Sequence, residues 1–139
     1  MGIADVRKRI HDTIERAKRR AAEGRVRTET AGQDFGRFLE QTAVPLFRQS
    51  VNVLRADSRL FSVFTPSGSV RLMSDRRAED YVEVLLDTSG DEPRVVLHSS
   101  RSWANRGVES ERVIGDPANL TEHDLLAAVL HELERFVER

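Results

Sequence analysis

The stretch from Asp57 to Arg101 constrains the fold more than any other part of the chain, because its loop lengths and its side-chain alternation agree with each other. Leu60 to Phe64 and Ser69 to Met73 are β-type runs separated by Thr65-Pro66-Ser67-Gly68. Proline presets φ and glycine supplies φ > 0, so this tetrapeptide reads as a hairpin loop. Tyr81 to Asp87 is a third run, entered through the polar turn 75–79. Arg94 to Ser99 is a fourth, after the breaker cluster 88–93.

Side chains alternate with period two, so antiparallel pairing keeps each set on one face. Setting Phe64 opposite Ser69 places Ser62 against Arg71 and Leu60 against Met73. Setting Asp87 opposite Arg94 places Leu86 beside Val95 and Val84 beside Leu97. One inner face results: Phe61, Val63, Val70, Leu72, Val82, Val84, Leu86, Val95 and Leu97. A slip of one residue in any strand would turn its apolar set outward.

The opposite face carries Leu60, Phe64, Met73, Tyr81, Leu85 and Val96 among its charges. At its centre Arg71, Glu83 and His98 fall side by side on adjacent strands. They read either as a polar centre with a titratable histidine inside an apolar rim or as a surface charge ladder. The ladder is preferred, since exposed pairs of this kind are common and weak.

The final helix carries its own start signal. Thr121 is the N-cap, Asp124 sits at the third helical position, and Leu120 and Leu125 flank them as a hydrophobic staple. Leu125, Leu126, Val129, Leu130, Leu133, Phe136 and Val137 give an apolar face running to Arg139, expected to cross the inner face of the sheet.

Two helices are read before the sheet. Ile3, Val6, Ile10, Ile14, Ala17 and Ala21 recur at helical spacing from Ile3 to about Glu23, a stripe too narrow for a core helix and closer to a seam. Asp5–Arg9, Asp12–Arg16 and Glu15–Arg19 support its solvent-facing side. Gly24 to Gln33 reads as a linker. A second helix, capped by Asp34, runs from about Phe35 to Arg55 and buries Phe35, Phe38, Leu39, Thr42, Leu46, Val51 and Leu54. Pro45 predicts a kink or break near Thr42.

Charge is unevenly spread. Residues 1–27 hold nine Lys or Arg against four Asp or Glu, whereas the whole chain balances at −1. Arg7, Lys8, Arg9, Arg16, Lys18, Arg19 and Arg20 are the basic residues through which this arm would meet nucleic acid. Trp103, flanked by Arg101 and Arg106 beside a turn signal, is the aromatic residue that would join them. Acidic residues interleave and the arm itself has no aromatic side chain, so docking of the helix on protein is the preferred reading.

The chain has no cysteine, hence no disulfide framework and no thiolate chemistry. No apolar run approaches the length that spans a bilayer. No glycine-rich phosphate loop and no nucleophile elbow is present. His123 and His131, two turns apart, miss the spacing of an adjacent-turn metal pair. Neither metal nor cofactor is expected.

The expectation is therefore an α+β protein with an antiparallel four- to five-stranded meander sheet, two N-terminal helices and one C-terminal helix packed on it. Residues 1–27 form a basic amphipathic arm and residues 34–139 the α+β domain. The expected role is a cytoplasmic, non-enzymatic interaction, adaptor or chaperone-like module, self-associating as a homodimer. The surfaces are Ile3, Val6, Ile10 and Ile14 on the arm and Met73, Tyr81, Leu85 and Val96 on the sheet. A nucleic-acid-binding accessory protein is the alternative.

Overall fold

A computed structural model describes residues 1–138. The protein is α+β: one long N-terminal helical rod, a five-stranded antiparallel sheet in the order β1-β2-β3-β4-β5, and a C-terminal helix.

The rod corrects the expectation of two helices joined by a linker. Helix α1 runs without interruption over Ile3–Phe38, through the whole of the supposed linker 24–33. At about 1.5 Å per residue it is some 54 Å long. It passes through a π-helical turn, Leu39–Ala43, into α2, Val44–Ala56. The kink signal at Pro45 is answered here. Proline brings no N–H and its ring crowds the preceding turn. The wide turn carries the bond from the Val44 N–H to the Leu39 carbonyl, five residues back, just before the proline. Pro45 then stands in the first turn of α2, where a missing donor costs least.

The strands are β1 Phe61–Phe64, β2 Ser69–Ser74, β3 Tyr81–Asp87, β4 Arg94–Trp103 and β5 Arg106–Gly115. The expected registers hold between β2 and β3 and between β3 and β4: Arg71 faces Glu83, Glu83 faces His98, and Asp87 faces Arg94. Between β1 and β2 the register differs by two, with Ser62 opposite Met73 and Phe64 opposite Arg71. The cause lies in the turn. Ser69 N–H donates to the Pro66 carbonyl at 3.2 Å and Gly68 takes φ +78°, so the turn closes later than a four-residue loop. A shift of two preserves the faces, which is why the core assignment survives.

The segment 100–107, beyond the fourth run as read from the sequence, is strand, turn and strand. Ala104 and Asn105 take φ +48° and +63°, the two left-handed positions of a type I′ hairpin. Trp103 ends β4 opposite Arg106.

Helix α3, Glu122–Val137, starts on the expected capping box: Asp124 N–H donates to Thr121 Oγ1 at 3.2 Å, and Thr121 N–H donates to Asp124 Oδ2 at 3.1 Å. Arg139 lies outside the described residues. The core joins Phe35, Phe38, Leu46, Phe47 and Val51 from the rod, the inner face of the sheet, and Leu125, Ala128, Val129 and Phe136 from α3. Phe47, Leu72, Leu97 and Leu125 are fully enclosed. Leu130, assigned to the buried face, is 55% exposed, and Leu133 packs at the core's edge instead.

Candidate functional site

The most unusual surface is the N-terminal half of α1. Of residues 1–30 all are exposed except Gly24, which is half-buried. The side chains that make the stripe point to solvent, with Ile3 81%, Ile10 56% and Ile14 47% exposed. Their series does not stop where the body begins. Ile3, Ile10, Ala17, Gly24, Ala31 and Phe38 are each seven residues apart, as are Arg7, Ile14, Ala21, Thr28 and Phe35. The last three apolar members, Ala31, Phe35 and Phe38, are buried in the core. One heptad seam therefore runs along the helix, covered by the body at one end and bare along about 42 Å at the other. Val6, also 42% exposed, widens it near the tip.

The polar face of the arm is well solvated. The acid–base pairs expected four residues apart do not close; Glu15 instead meets Lys18 at 3.8 Å. Arg7, Lys8, Arg9, Arg16, Lys18, Arg19 and Arg20 are all exposed on this helix. Trp103 lies on the β4–β5 hairpin, 50% exposed, with the Arg101 guanidinium 5.7 Å from its ring.

On the outer face of the sheet the structure brings Arg71, Glu83 and His98 together and adds Tyr81. Arg71 holds Glu83 through Nε at 3.3 Å and Nη2 at 3.0 Å. The same guanidinium lies 3.9 Å over the Tyr81 ring, and the His98 ring is 5.8 Å from Tyr81. His98 Nε2 is 3.9 Å from Glu109 on β5. Arg71 and Glu83 thus answer each other, His98 lies beside a carboxylate, and Tyr81 spends one face on the arginine. Val96 was assigned to the partner surface but is 2% exposed. It sits on an inner strand of the sheet between its register partners Leu85 and Val113. Phe64 remains exposed at the edge and Met73 and Leu85 are half-buried. The apolar patch is smaller than the sequence implied.

A polar cluster that the sequence did not reveal lies under α3. Ser99 Oγ donates to Glu132 Oε2 at 2.8 Å. Its proton is thereby used, so the 2.7 Å contact with Ser110 is donated by Ser110. Arg112 stands 3.9 Å from the other carboxylate oxygen. Glu132 and Ser99 are buried, and this set satisfies the polar side of β5. Another carboxylate, Asp80, is buried and accepts the Ser102 N–H at 2.8 Å. It borders a cleft of about 470 Å³ at the last turns of α2 and α3, rimmed by Arg59, Arg76 and Arg77. Cations beside two helix C-termini answer the negative ends of those helices.

No group of three or more His, Asp or Glu that would hold a metal ion forms among the described residues, and none of their helices is long and apolar enough to cross a membrane. No family model, no curated protein and no solved structure matches the chain.

Proposed function

We propose that the protein is a non-enzymatic interaction module of adaptor or chaperone-like type, acting in the cytoplasm, in which the folded body carries α1 as its binding element. The observation that carries this reading is the heptad seam of α1, buried over Ala31–Phe38 and bare from Ile3 to Thr28. Exposed isoleucines recurring at heptad spacing along a helix favour being covered by a second helix. The outer sheet face is a weaker surface, since Arg71, Glu83, Tyr81 and His98 already answer one another.

Binding of nucleic acid through the basic side of the same arm is the second reading, favoured by the exposed Arg and Lys of residues 7–20. A salt titration separates the two. Contacts between arginine and phosphate weaken steeply as salt displaces them, whereas an apolar seam does not. The expected outcome is no salt-sensitive binding of a labelled single-stranded or duplex oligonucleotide, together with an arm-dependent protein complex that persists at high salt. Tight oligonucleotide binding lost on Arg19→Ala and Arg20→Ala substitution would reverse the order.

A further inference from the structure

We infer that the bare seam of α1 is covered by α1 of a second copy of this chain lying antiparallel to it, with residue numbers of facing seam positions adding to 31. This deepens the interaction reading and rests on it. Three features of the arm select this occupant and this direction.

The first is charge. Residues 1–15 hold three bases and three acids, so the tip half is neutral. Residues 16–27 hold six bases and one acid, so the root half carries +5. A parallel pair would set root against root and Arg7 against Arg7. An antiparallel pair sets each basic root against a neutral tip, which removes most of the repulsion.

The second is volume. Along the seam the large side chains, Ile3, Ile10 and Ile14, are all in the tip half, and the small ones, Ala17, Ala21 and Gly24, are all in the root half. In the antiparallel register Ile14 faces Ala17, Ile10 faces Ala21, Ile3 faces Thr28, and the long Arg7 faces Gly24. Every layer then holds one large and one small residue, and the helices stay evenly spaced. A parallel pair would stack isoleucine on isoleucine at the tip and alanine on alanine at the root, so no single interhelical distance would fill both.

The third is length. The body covers the seam from Ala31 onward, so a partner helix can advance only to about Thr30. In this register the partner's Ile3 reaches Thr28. The next register inward, one heptad further, would drive Ile3 onto Phe35, which is buried in the core. The chosen register covers the bare seam fully and stops where the body starts.

The chain contains no cysteine, so single replacements give an unambiguous test on the full-length protein. Ala21→Cys and Ile10→Cys proteins are each oxidised alone and then as a mixture. In the antiparallel pair position 10 faces position 21, while like positions on the two chains lie about 16 Å apart along the axis, beyond the roughly 7 Å that a disulfide spans. The expected result is a cross-linked dimer in the mixture, containing one chain of each kind, and loss of the cross-link in either protein alone. Cross-linking of the Ala21→Cys protein with itself would overturn the antiparallel arrangement while leaving self-association standing. A dimer that cross-links in none of these mixtures would overturn the arm as the seam and move the interface to the sheet. Sedimentation of the unmodified chain as a monomer at micromolar concentration would overturn both this inference and the self-association on which it rests.

Discussion

The two ends of α1 carry the same repeat and meet opposite fates. Beyond Ala31, the heptad positions Phe35 and Phe38 are filled by rings, and all three are enclosed by the body; at Ile3, Ile10, Ile14, Ala17 and Ala21 they are filled by aliphatic side chains and stand in solvent. A repeat thus declares that a helix has a face to cover, while the size of its residues declares how closely the cover approaches. Phenylalanine reaches across to a sheet. Isoleucine toward the tip and alanine toward the root suit another helix at short range.

This contrast can be broken most forcefully in the core. Phe47, fully enclosed beneath the sheet, should lose about 3–5 kcal/mol when replaced by Ala, read as the denaturant midpoint with unchanged slope. Ile10→Ala in the arm should leave the unfolding of the body within about 0.5 kcal/mol of wild type. Comparable losses from both would mean that arm and body are one cooperative unit.

The polar core under α3 gives the next effect. Ser99→Ala removes the donor to the buried Glu132 carboxylate and should cost about 1–3 kcal/mol. A neutral result would show that Arg112 or water satisfies the carboxylate without the serine.

Within α3, Leu133→Ala should cost about 2 kcal/mol, the lower end for a leucine at the edge of the core, and the exposed Leu130→Ala less than about 0.5 kcal/mol. Reversal of that order would place the wrong face of α3 on the sheet.

The smallest effect is at the helix start. Thr121→Ala should cost about 1 kcal/mol. The backbone N–H and then the side chain of Thr121 hold the Asp124 carboxyl below its ordinary value. Its contribution is therefore complete above the pKa of the unfolded carboxyl and is lost as pH falls through the lower folded value. Asp124→Asn should flatten this part of the acid profile; an acid profile identical to wild type would remove the carboxylate from the account.

The elements that were legible in the sequence are those whose reasons are local. Strands β2 and β3 alternate cleanly because one face is buried throughout, and the capping box of α3 lies within four residues. Strand β5 was obscured because its inner positions include Ser110 and Arg112, polar residues satisfied by Ser99 and Glu132 from elsewhere in the chain, and because the β4–β5 ladder shifts at Val95/Val96. The continuity of α1 was hidden by Gly24 and Gly32. Each glycine costs about 1 kcal/mol in a helix, enough to suggest a break, yet a helix anchored by Phe35 and Phe38 propagates through such a cost. The bare seam was visible as a stripe of isoleucines. That the seam is left uncovered by its own chain became visible only once the linker proved to be helix, because a rigid rod cannot fold back on the sheet. The loss of Val96 from the partner surface followed from its place on an inner strand, which alternation alone does not reveal.

The central claim is that the arm is half of an interface, and solution mass tests it most directly. Sedimentation equilibrium at micromolar concentration is run on the full chain and on a chain lacking residues 1–27, with far-UV and thermal unfolding confirming that the shortened body is folded. The account predicts twice the chain mass for the full protein and a single chain mass for the shortened one. A full chain that sediments as a monomer, or a shortened chain that remains a dimer, would contradict it.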